Sequence, residues 1–181
     1  MKFRSIERDE LEKIRNMDRG ELVDQIYYYK NGRLLLVDEH YEISGWDPDN
    51  LKNIISNLYG LYDRNGTFIG AFDNKNMVGI VALELNFIGK DNDMLQLDFL
   101  HVDRKYRKKG LGKSLLEMAA KRAKDLGAKK LYVSATPSKN TIHFYLHNGC
   151  RLTEELNKEL YELEPGDIHL ELDLNGFYFT D

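Results

Sequence analysis

The chain has 181 residues, 42% of them hydrophobic and 31% charged, a composition typical of a soluble globular domain rather than of a disordered chain. Its net charge of −4 argues against a surface that binds nucleic acid or an anionic membrane. The sequence lacks an apolar run long enough for a membrane-spanning helix, and its N-terminus lacks the apolar core of a secretory signal. Cys150 is the only cysteine, so no internal disulfide is expected, and a cytoplasmic location is predicted.

The N-terminal third predicts a short strand, two helices and a hairpin. Two β-rich runs flank Asn31 and Gly32, a pair that favours a two-residue hairpin turn. Asp47 followed by Pro48 predicts the start of a helix. In chain order, the elements predicted here are a strand at 2–6, a helix at 8–17, a hairpin within 25–43 and a helix from 48 to about 61.

The remainder of the chain predicts strands that alternate with two further helices. Gly127 is the expected C-terminal cap of the first helix, and Ser138 is the expected N-cap of the second. The elements predicted here are two strands within 67–89 joined by a turn at 73–76, a strand at 94–102, a helix at 112–126, a strand at 129–136, a helix at 138–147, and final strands at 160–163 and 168–174. This mixed order predicts a single α+β domain over residues 1–181, with helices on the faces of the sheet.

The loop between the strand at 94–102 and the helix at 112–126 concentrates positive charge. Gly110 and Gly112 let backbone N–H groups approach a ligand closely, and the helix N-terminus adds partial positive charge. The six cations within ten residues are Arg104, Lys105, Arg107, Lys108, Lys109 and Lys113. The segment therefore predicts a site for a pyrophosphate or another anion.

Two other interpretations of this loop compete with an anion site. Its end looks like a Walker A motif, G-x-x-x-x-G-K-[ST], but that motif requires a glycine at the position of Arg107. A solvated basic loop that caps a helix is the simpler alternative. The strand–loop–helix context and the two glycines favour the anion site over both.

Two motifs in the second half of the chain carry a family resemblance. The run from Arg107 to Gly112 resembles the R/Q-x-x-G-x-G/A loop of the GNAT superfamily of N-acetyltransferases. The run from Phe144 to Cys150 resembles that family's F-Y-x-x-x-G-F signature, with Cys150 in place of the usual aromatic residue. The resemblance covers about residues 68–153 and is looser over the variable region at about 8–62. It implies a mixed, mostly antiparallel sheet flanked by helices, an acyltransferase activity, and acetyl-CoA as the donor co-substrate.

The resemblance also implies a set of donor contacts along the strand and the loop. Pantetheine would pair with the backbone of the strand before the loop, because its two amides need partners. The pyrophosphate would lie against the loop and the first helical turn. The residues implied are Leu100, His101 and Val102 for pantetheine, and Arg107, Lys108, Lys109, Gly110, Leu111, Gly112, Lys113 and Ser114 for the phosphates. The side chain of His101 is expected only to point off the sheet.

Amine acylation by a thioester needs a base for the amine, a donor for the developing oxyanion and a proton for the leaving thiolate. Tyr145 is the candidate general acid, because the equivalent tyrosine in many family members points at the CoA sulfur and tyrosine is protonated at neutral pH. A core aromatic residue at helical spacing is the alternative. No enzyme nucleophile is required, and Cys150 is not expected to act as one.

Glu84 and Asp98 are the candidate bases. Each carboxylate interrupts an apolar strand, so each is expected to be half-buried or directed into a cleft, where burial raises its pKa. Glu84 is slightly favoured of the two. Gln96 occupies about the place where some family members carry a catalytic glutamate, so no base is matched directly. Either carboxylate can instead act through water or be structural only.

The helix that contains Tyr145 carries three further candidates. Asn140 is a candidate cofactor contact, with a purely local role in the first helical turn as an equal alternative. The family's common asparagine falls nearer Ser138. His143 and His147 lie four residues apart, a spacing known from metal ligands, but no third ligand is evident in the sequence and no metal site is expected.

The N-terminal third is rich in aromatic and acidic side chains, and the resemblance implies that this region shapes the acceptor pocket. Acidic residues favour a cationic amine, on either a small molecule or a peptide, and hairpin packing is the alternative. The side chains concerned are Tyr27, Tyr28, Tyr29, Tyr41, Trp46, Asp18, Glu39 and Asp47. A non-catalytic acyl-CoA sensor and an interaction module are the other functions considered, and a homodimer is an open alternative to a monomer.

Overall fold

The computed structural model describes residues 1–177 as nine strands, four α-helices and two 3-10 helices. The strands are β1 (Lys2–Ser5), β2 (Glu21–Lys30), β3 (Arg33–Ile43), β4 (Thr67–Asp73), β5 (Asn76–Leu83), β6 (Met94–Val102), β7 (Lys130–Ala135), β8 (Arg151–Leu152) and β9 (Ile168–Asp173). The α-helices are α1 (Pro48–Asp63), α2 (Leu111–Asp125), α3 (Lys139–His147) and α4 (Lys158–Leu163), and the 3-10 helices are Arg8–Asn16 and Arg104–Tyr106.

Seven of the strands form one sheet, in the order β1–β4–β5–β6–β7–β9–β8. Neighbouring strands in it are antiparallel, except that β6 and β7 run parallel. β2 and β3 form a separate antiparallel hairpin around Asn31 and Gly32, both of which have positive φ. The prediction of an α+β domain with a mostly antiparallel sheet flanked by helices is therefore confirmed.

One predicted strand is wrong. Residues 160–163 were expected to pair near the C-terminus of the chain, but they belong to α4. Asn157 caps this helix, because its side chain accepts a hydrogen bond from the backbone N–H of Leu160, the usual role of asparagine at an N-cap. The short strand β8 pairs with β9 in place of the expected segment.

The sheet has an apolar core on each face. One core packs α2 and α3 against the sheet and includes Leu115, Leu116 and Val133. The other packs α1 and the first 3-10 helix against it and includes Leu11, Ile55 and Ile80. No helix among residues 1–177 is long and apolar enough to cross a membrane.

The parallel strands β6 and β7 separate soon after they begin. They pair only from Met94 opposite Lys130 to Gln96 opposite Tyr132, and the rest of β6 has a hydrogen-bonded neighbour on the β5 side alone. The register with β5 also shifts at this point, because Leu97 pairs with Leu83 and Phe99 with Ala82. Asp98 is the extra residue of this β-bulge, a feature that bends a strand and re-aims side chains.

Candidate functional site

The loop after β6 presents a row of backbone donors. Lys108 and Gly110 have positive φ, and Gly110 is the N-cap of α2. Within residues 1–177, the backbone N–H groups from Lys108 to Lys113 have no hydrogen-bond acceptor. Such a turn leading into a helix N-terminus is a concave arrangement of donors that suits an anion. The residues therefore fit a phosphate group without any rearrangement of hydrogen bonds.

Arg107 is held by main-chain carbonyl groups. Its guanidinium donates hydrogen bonds to the carbonyl oxygens of Val102 at 2.9 Å, Gly20 at 3.0 Å and Arg19 at 3.1 Å. The side chain therefore joins the end of β6 to the segment that enters β2. Because these hydrogen bonds occupy the guanidinium, Arg107 can help to hold the phosphates only through its positive charge and by fixing the shape of the loop.

Asp103 fixes the same junction from the other side. Its carboxylate accepts hydrogen bonds from the backbone N–H groups of Asp18 and Lys105, each at 2.9 Å. The backbone N–H of Arg104 in turn donates to the carbonyl oxygen of Asp18 at 2.9 Å. Asp103 was not among the predicted site residues, although an aspartate just before a short helical turn is itself an N-cap signal.

The lysines of the loop differ in how their ammonium groups are engaged. The ammonium group of Lys109 donates to the carbonyl oxygen of Lys105 at 2.8 Å, and that of Lys113 lies 3.6 Å from the carboxylate of Glu117. Lys108 is exposed. Ser114 lies one turn into α2, and its hydroxyl and backbone N–H both donate to the carbonyl oxygen of Gly110. Lys108 is thus the cation of the loop best placed to turn toward a bound anion.

Gly112 packs tightly against α3. A Cβ atom built on it would lie 3.1 Å from the Phe144 ring and 3.8 Å from Val102. The position thus faces α3 and the end of β6. Leu111, next to it, is a buried core residue. Both motifs found in the sequence meet at this contact, since Gly112 belongs to the first and Phe144 to the second.

The open edge of β6 exposes alternate backbone groups. The N–H of Asp103 donates to the carbonyl oxygen of Val78 on β5, so by strand alternation the N–H and C=O of His101 also face β5. Those of Leu100 and Val102 face the gap between β6 and β7. Of the three residues predicted to contact pantetheine, these two are therefore positioned to pair with an extended ligand.

The side chain of His101 lies among aromatic groups. Its ring is 4.8 Å from Trp46 and 6.3 Å from Phe99, measured between centroids. Burial, together with the guanidinium groups of Arg107 and Arg19, lowers the pKa of His101 to about 3, so the ring is neutral at physiological pH. Its Nε2 atom is buried without a hydrogen-bond partner among residues 1–177.

Tyr145 packs within the core between α3 and the sheet. The residue is only 6% exposed, and burial, reinforced by the nearby Cys150 and Asp167, raises the pKa of Tyr145 well above its usual range. The phenol therefore stays protonated, as a general acid must. Burial also raises the pKa of the Cys150 thiol to about 12, which excludes a thiolate nucleophile there at neutral pH.

Glu84 lies near Asp98, close to the bulge. Arg64, which the sequence analysis did not single out, donates a 2.8 Å hydrogen bond to Glu84, and the backbone N–H of Leu85 donates another at 2.9 Å. Burial acts to raise the pKa of Glu84, but these hydrogen bonds together outweigh it and the net pKa is lowered. The expectation of a raised pKa is therefore wrong for Glu84.

Asp98 behaves in the opposite way. The residue is exposed to solvent and so is not half-buried as expected, although many protein atoms lie around its carboxylate. Burial raises the pKa of Asp98, the negative charge of Glu84 adds to the rise, and the positive charge of Arg64 reduces it. Of the two predicted carboxylates, Asp98 is thus the one whose proton affinity moves toward neutral pH.

The first turns of α3 bind the N-terminal hairpin. Asn140 donates a 3.1 Å hydrogen bond to Glu21, and Lys139 donates one to Gln25 at 2.6 Å. His143 shares a 2.8 Å hydrogen bond with the Tyr27 hydroxyl. The polar side chains at this end of α3 are therefore engaged in positioning the hairpin.

The comparisons with known proteins agree with this architecture. The model of the acetyltransferase (GNAT) family matches residues 17–149. A structure of nourseothricin acetyltransferase aligns with a TM-score of 0.71 at 20% identity, covering 96% of this chain and 98% of that one. A comparison with curated proteins finds no match.

Two further solved structures span nearly the whole chain. A putative streptothricin acetyltransferase from Bacillus anthracis str. Ames, in complex with acetyl coenzyme A, aligns with a TM-score of 0.69 at 18% identity, covering 95% of this chain and 97% of that one. A PaiA N-acetyltransferase from Thermoplasma acidophilum, in complex with coenzyme A, aligns with a TM-score of 0.61 at 18% identity, covering 95% and 98%. At these identities the likeness concerns the fold.

Proposed function

The chain belongs to the GNAT acetyltransferase family and is an acyltransferase; from that premise we propose that it transfers an acetyl group from acetyl-CoA to the amine of an acceptor. The observation that carries the proposal is the continuity of two features. The open edge of β6 leads directly into the row of unpaired backbone N–H groups at Lys108 to Lys113. A ligand that carries both amides and a pyrophosphate fits the two features together, because its amides can pair with the strand edge and its pyrophosphate can accept hydrogen bonds from the N–H groups.

The donor would be held mainly by the main chain. The backbone of Leu100 and Val102 would pair with the pantetheine amides, and the N–H groups from Lys108 to Lys113 would bind the pyrophosphate. Lys108 would add a mobile positive charge. Acetyl-CoA supplies the acetyl group as a thioester, and a thiolate is a better leaving group than an alkoxide.

Asp98 is the proposed base for the acceptor amine. An amine attacks only when neutral, so a proton must pass to a carboxylate or to a water that the carboxylate orients. Asp98 has the raised pKa that this role needs, and it begins the stretch of β6 that is open toward β7. Glu84, fixed by Arg64, would tune the Asp98 pKa by its charge.

Tyr145 is the proposed general acid. Its protonated phenol would supply the proton that the leaving thiol of CoA needs. Tyr145 follows Phe144 in α3, and Phe144 contacts Gly112, so the proposed acid lies near the loop that would hold the donor.

The acceptor is proposed to be a cationic amine, because Glu84 and Asp98 place negative charge near the middle of β6, at the end of its open stretch that lies away from the phosphate loop. Two of the similar structures bear the names of nourseothricin and streptothricin acetyltransferases. Nourseothricin is therefore the first acceptor to test, followed by polyamines and lysine peptides.

Calorimetric titration with acetyl-CoA, followed by a thiol-release assay with each amine, tests the proposal. Gly112→Val should weaken acetyl-CoA binding at least about tenfold, because the new side chain displaces Phe144. Gly166→Val is the matched control, since a Cβ atom there meets no other group and φ is not positive. Binding with no thiol release for any amine would favour the acyl-CoA sensor, and no binding would overturn the proposal.

A further inference from the structure

The hairpin of β2 and β3 has one occupied edge and one free edge. On the β2 side, the N–H of Tyr27 donates to the carbonyl oxygen of Pro137 at 2.8 Å, and Ile26 bridges to Ser138. On the β3 side, no backbone group of another element among residues 1–177 pairs with the strand. The main body therefore holds the hairpin by one edge and leaves the other unpaired.

The free edge is long and apolar in its middle. β3 has 11 residues and contains no proline, and Leu35, Leu36 and Val37 are 45%, 40% and 42% exposed. Soluble proteins usually protect such an edge with charges, proline or a short length, because it is a template for another strand. Here a run of three consecutive apolar side chains is left at the surface.

The hairpin register shows which groups of β3 point outward. Tyr27 lies opposite Leu36, and because the N–H of Tyr27 points away from β3, this is a pair without mutual hydrogen bonds. The N–H and C=O of Leu36 therefore also point away from β2. The same holds for Leu34 and Asp38, which lie two residues to either side.

The charge pattern of β3 is complementary to itself. Arg33 lies at its N-terminal end and Glu39 beyond its middle, with the apolar run between them. In an antiparallel pair of two β3 strands centred on Leu36, Arg33 faces Glu39 of the second copy and Leu35 faces Val37. Shifting the centre by one residue in either direction separates Arg33 from Glu39, and a shift to Val37 also places Leu35 opposite Glu39.

We propose that two copies of this chain pair through β3, antiparallel and centred on Leu36, to form a four-stranded sheet across a two-fold axis. The arrangement closes on itself, because the outer edge of each β2 is already bound to residues 137 and 138. The inference is independent of the acyl transfer proposed above. It assigns the hairpin an interaction role alongside its contacts with α3.

Sedimentation velocity over a concentration series of the full chain tests the pairing. The wild type should sediment as a concentration-dependent dimer. Leu36→Pro should give a monomer, because proline removes an outward N–H and is tolerated on an edge strand. Leu163→Pro, at the 74% exposed last residue of α4, serves as the control and should leave the dimer intact.

A charge exchange tests the register without changing the backbone. Arg33→Glu and Glu39→Arg should each raise the dimer dissociation constant roughly tenfold, since like charges then face each other twice per dimer. The double variant Arg33→Glu/Glu39→Arg should restore it. A monomeric wild type, a dimer that survives Leu36→Pro, or the absence of rescue would overturn the proposal. Circular dichroism of each variant separates loss of pairing from loss of folding.

Discussion

The two ends of the open stretch of β6 carry opposite charge and, within the described part of the chain, leave opposite kinds of polar group without a partner, backbone donors at one end and a carboxylate at the other. At the loop end, Arg107 and Asp103 bind main-chain groups of the segment before β2, and the backbone donors of residues 108–113 are left over. At the bulge end, Glu84 is held by Arg64, and no donor among residues 1–177 forms a hydrogen bond with the Asp98 carboxylate. Side-chain pairing thus fixes the frame at each end, and the groups that remain suit an anion at one end and an amine at the other.

The separation of these ends follows from strand geometry. From Asp98 to Val102 the strand rises roughly 13 Å, at about 3.3 Å per residue. An anionic group and a cationic group bound at the two ends therefore do not neutralise each other, and the reacting atoms would meet along the open edge between them.

The largest effect is expected at the bulge. Asp98→Asn should lower kcat/KM by about 1000-fold, within the range for a lost general base, while Glu84→Gln should retain activity. In Glu84→Gln the neighbouring negative charge is gone, so the Asp98 pKa falls and the acid limb of the kcat/KM profile moves to lower pH. Arg64→Gln should move that limb to higher pH. Inactive Glu84→Gln with active Asp98→Asn would reverse the assignment of the base.

Tyr145 should show the next largest effect. Tyr145→Phe is expected to lower kcat about 100-fold by removing the proton donor, with acetyl-CoA affinity unchanged because the ring still packs. Tyr161→Phe, at an exposed position, is the matched control. If kcat of Tyr145→Phe stays within about threefold of the wild type, the residue is a core aromatic only.

Much of the loop could be predicted from the sequence because its features are local. The glycines, the cations and the start of α2 lie within a few residues of one another, and φ, helix polarity and spacing are local properties. The role of Arg107 could not be predicted in this way. Its acceptors at Gly20 and Arg19 lie 87 and 88 positions away in the chain, and only the fold brings them together.

Prediction from the sequence has the same limit at the bulge end of the open stretch of β6, where the contacts are also not local. That Glu84 and Asp98 interrupt apolar strands was visible in the sequence, but the strand register that makes Asp98 the bulged residue was not. The lowered pKa of Glu84 depends on Arg64 from the end of α1. The segment at 160–163 is another case. Its four residues mix apolar and polar side chains over too short a run to distinguish a strand from a helix, and the structure shows a helix that is capped by Asn157.

Variants of Arg107 should have a smaller effect, which distinguishes a structural role of the guanidinium from direct contact with the phosphates. Arg107→Ala should lower the free energy of unfolding in urea by about 2–3 kcal/mol, because three carbonyl groups lose a charged donor. Arg107→Lys should not restore it, since a lysine cannot reproduce the planar set of donors. Lys108→Ala should leave stability unchanged and weaken acetyl-CoA binding. Unchanged stability with lost binding in Arg107→Ala would mean that the guanidinium contacts the phosphates.

The smallest effect concerns His101. Its pKa of about 3 in the fold lies below that of an unfolded chain, about 6.5, so the unfolded state binds the proton first as pH falls. Stability should be complete above about pH 6.5 and fall below it by at most about 1.4 kcal/mol per pH unit. His101→Phe should flatten this slope in urea unfolding at several pH values. Equal slopes in the variant and the wild type would show that His101 is hydrated.

The central claim is that the backbone donors of residues 108–113 hold the pyrophosphate of acetyl-CoA, and amide resonances report on it most directly. Uniformly ¹⁵N-labelled protein would be titrated with acetyl-CoA while its assigned backbone N–H signals are followed. The account predicts that the largest downfield shifts occur from Lys108 to Lys113, with smaller changes at Leu100 and Val102. Binding that leaves these amides unshifted, or perturbs only the hairpin and the bulge, would contradict it.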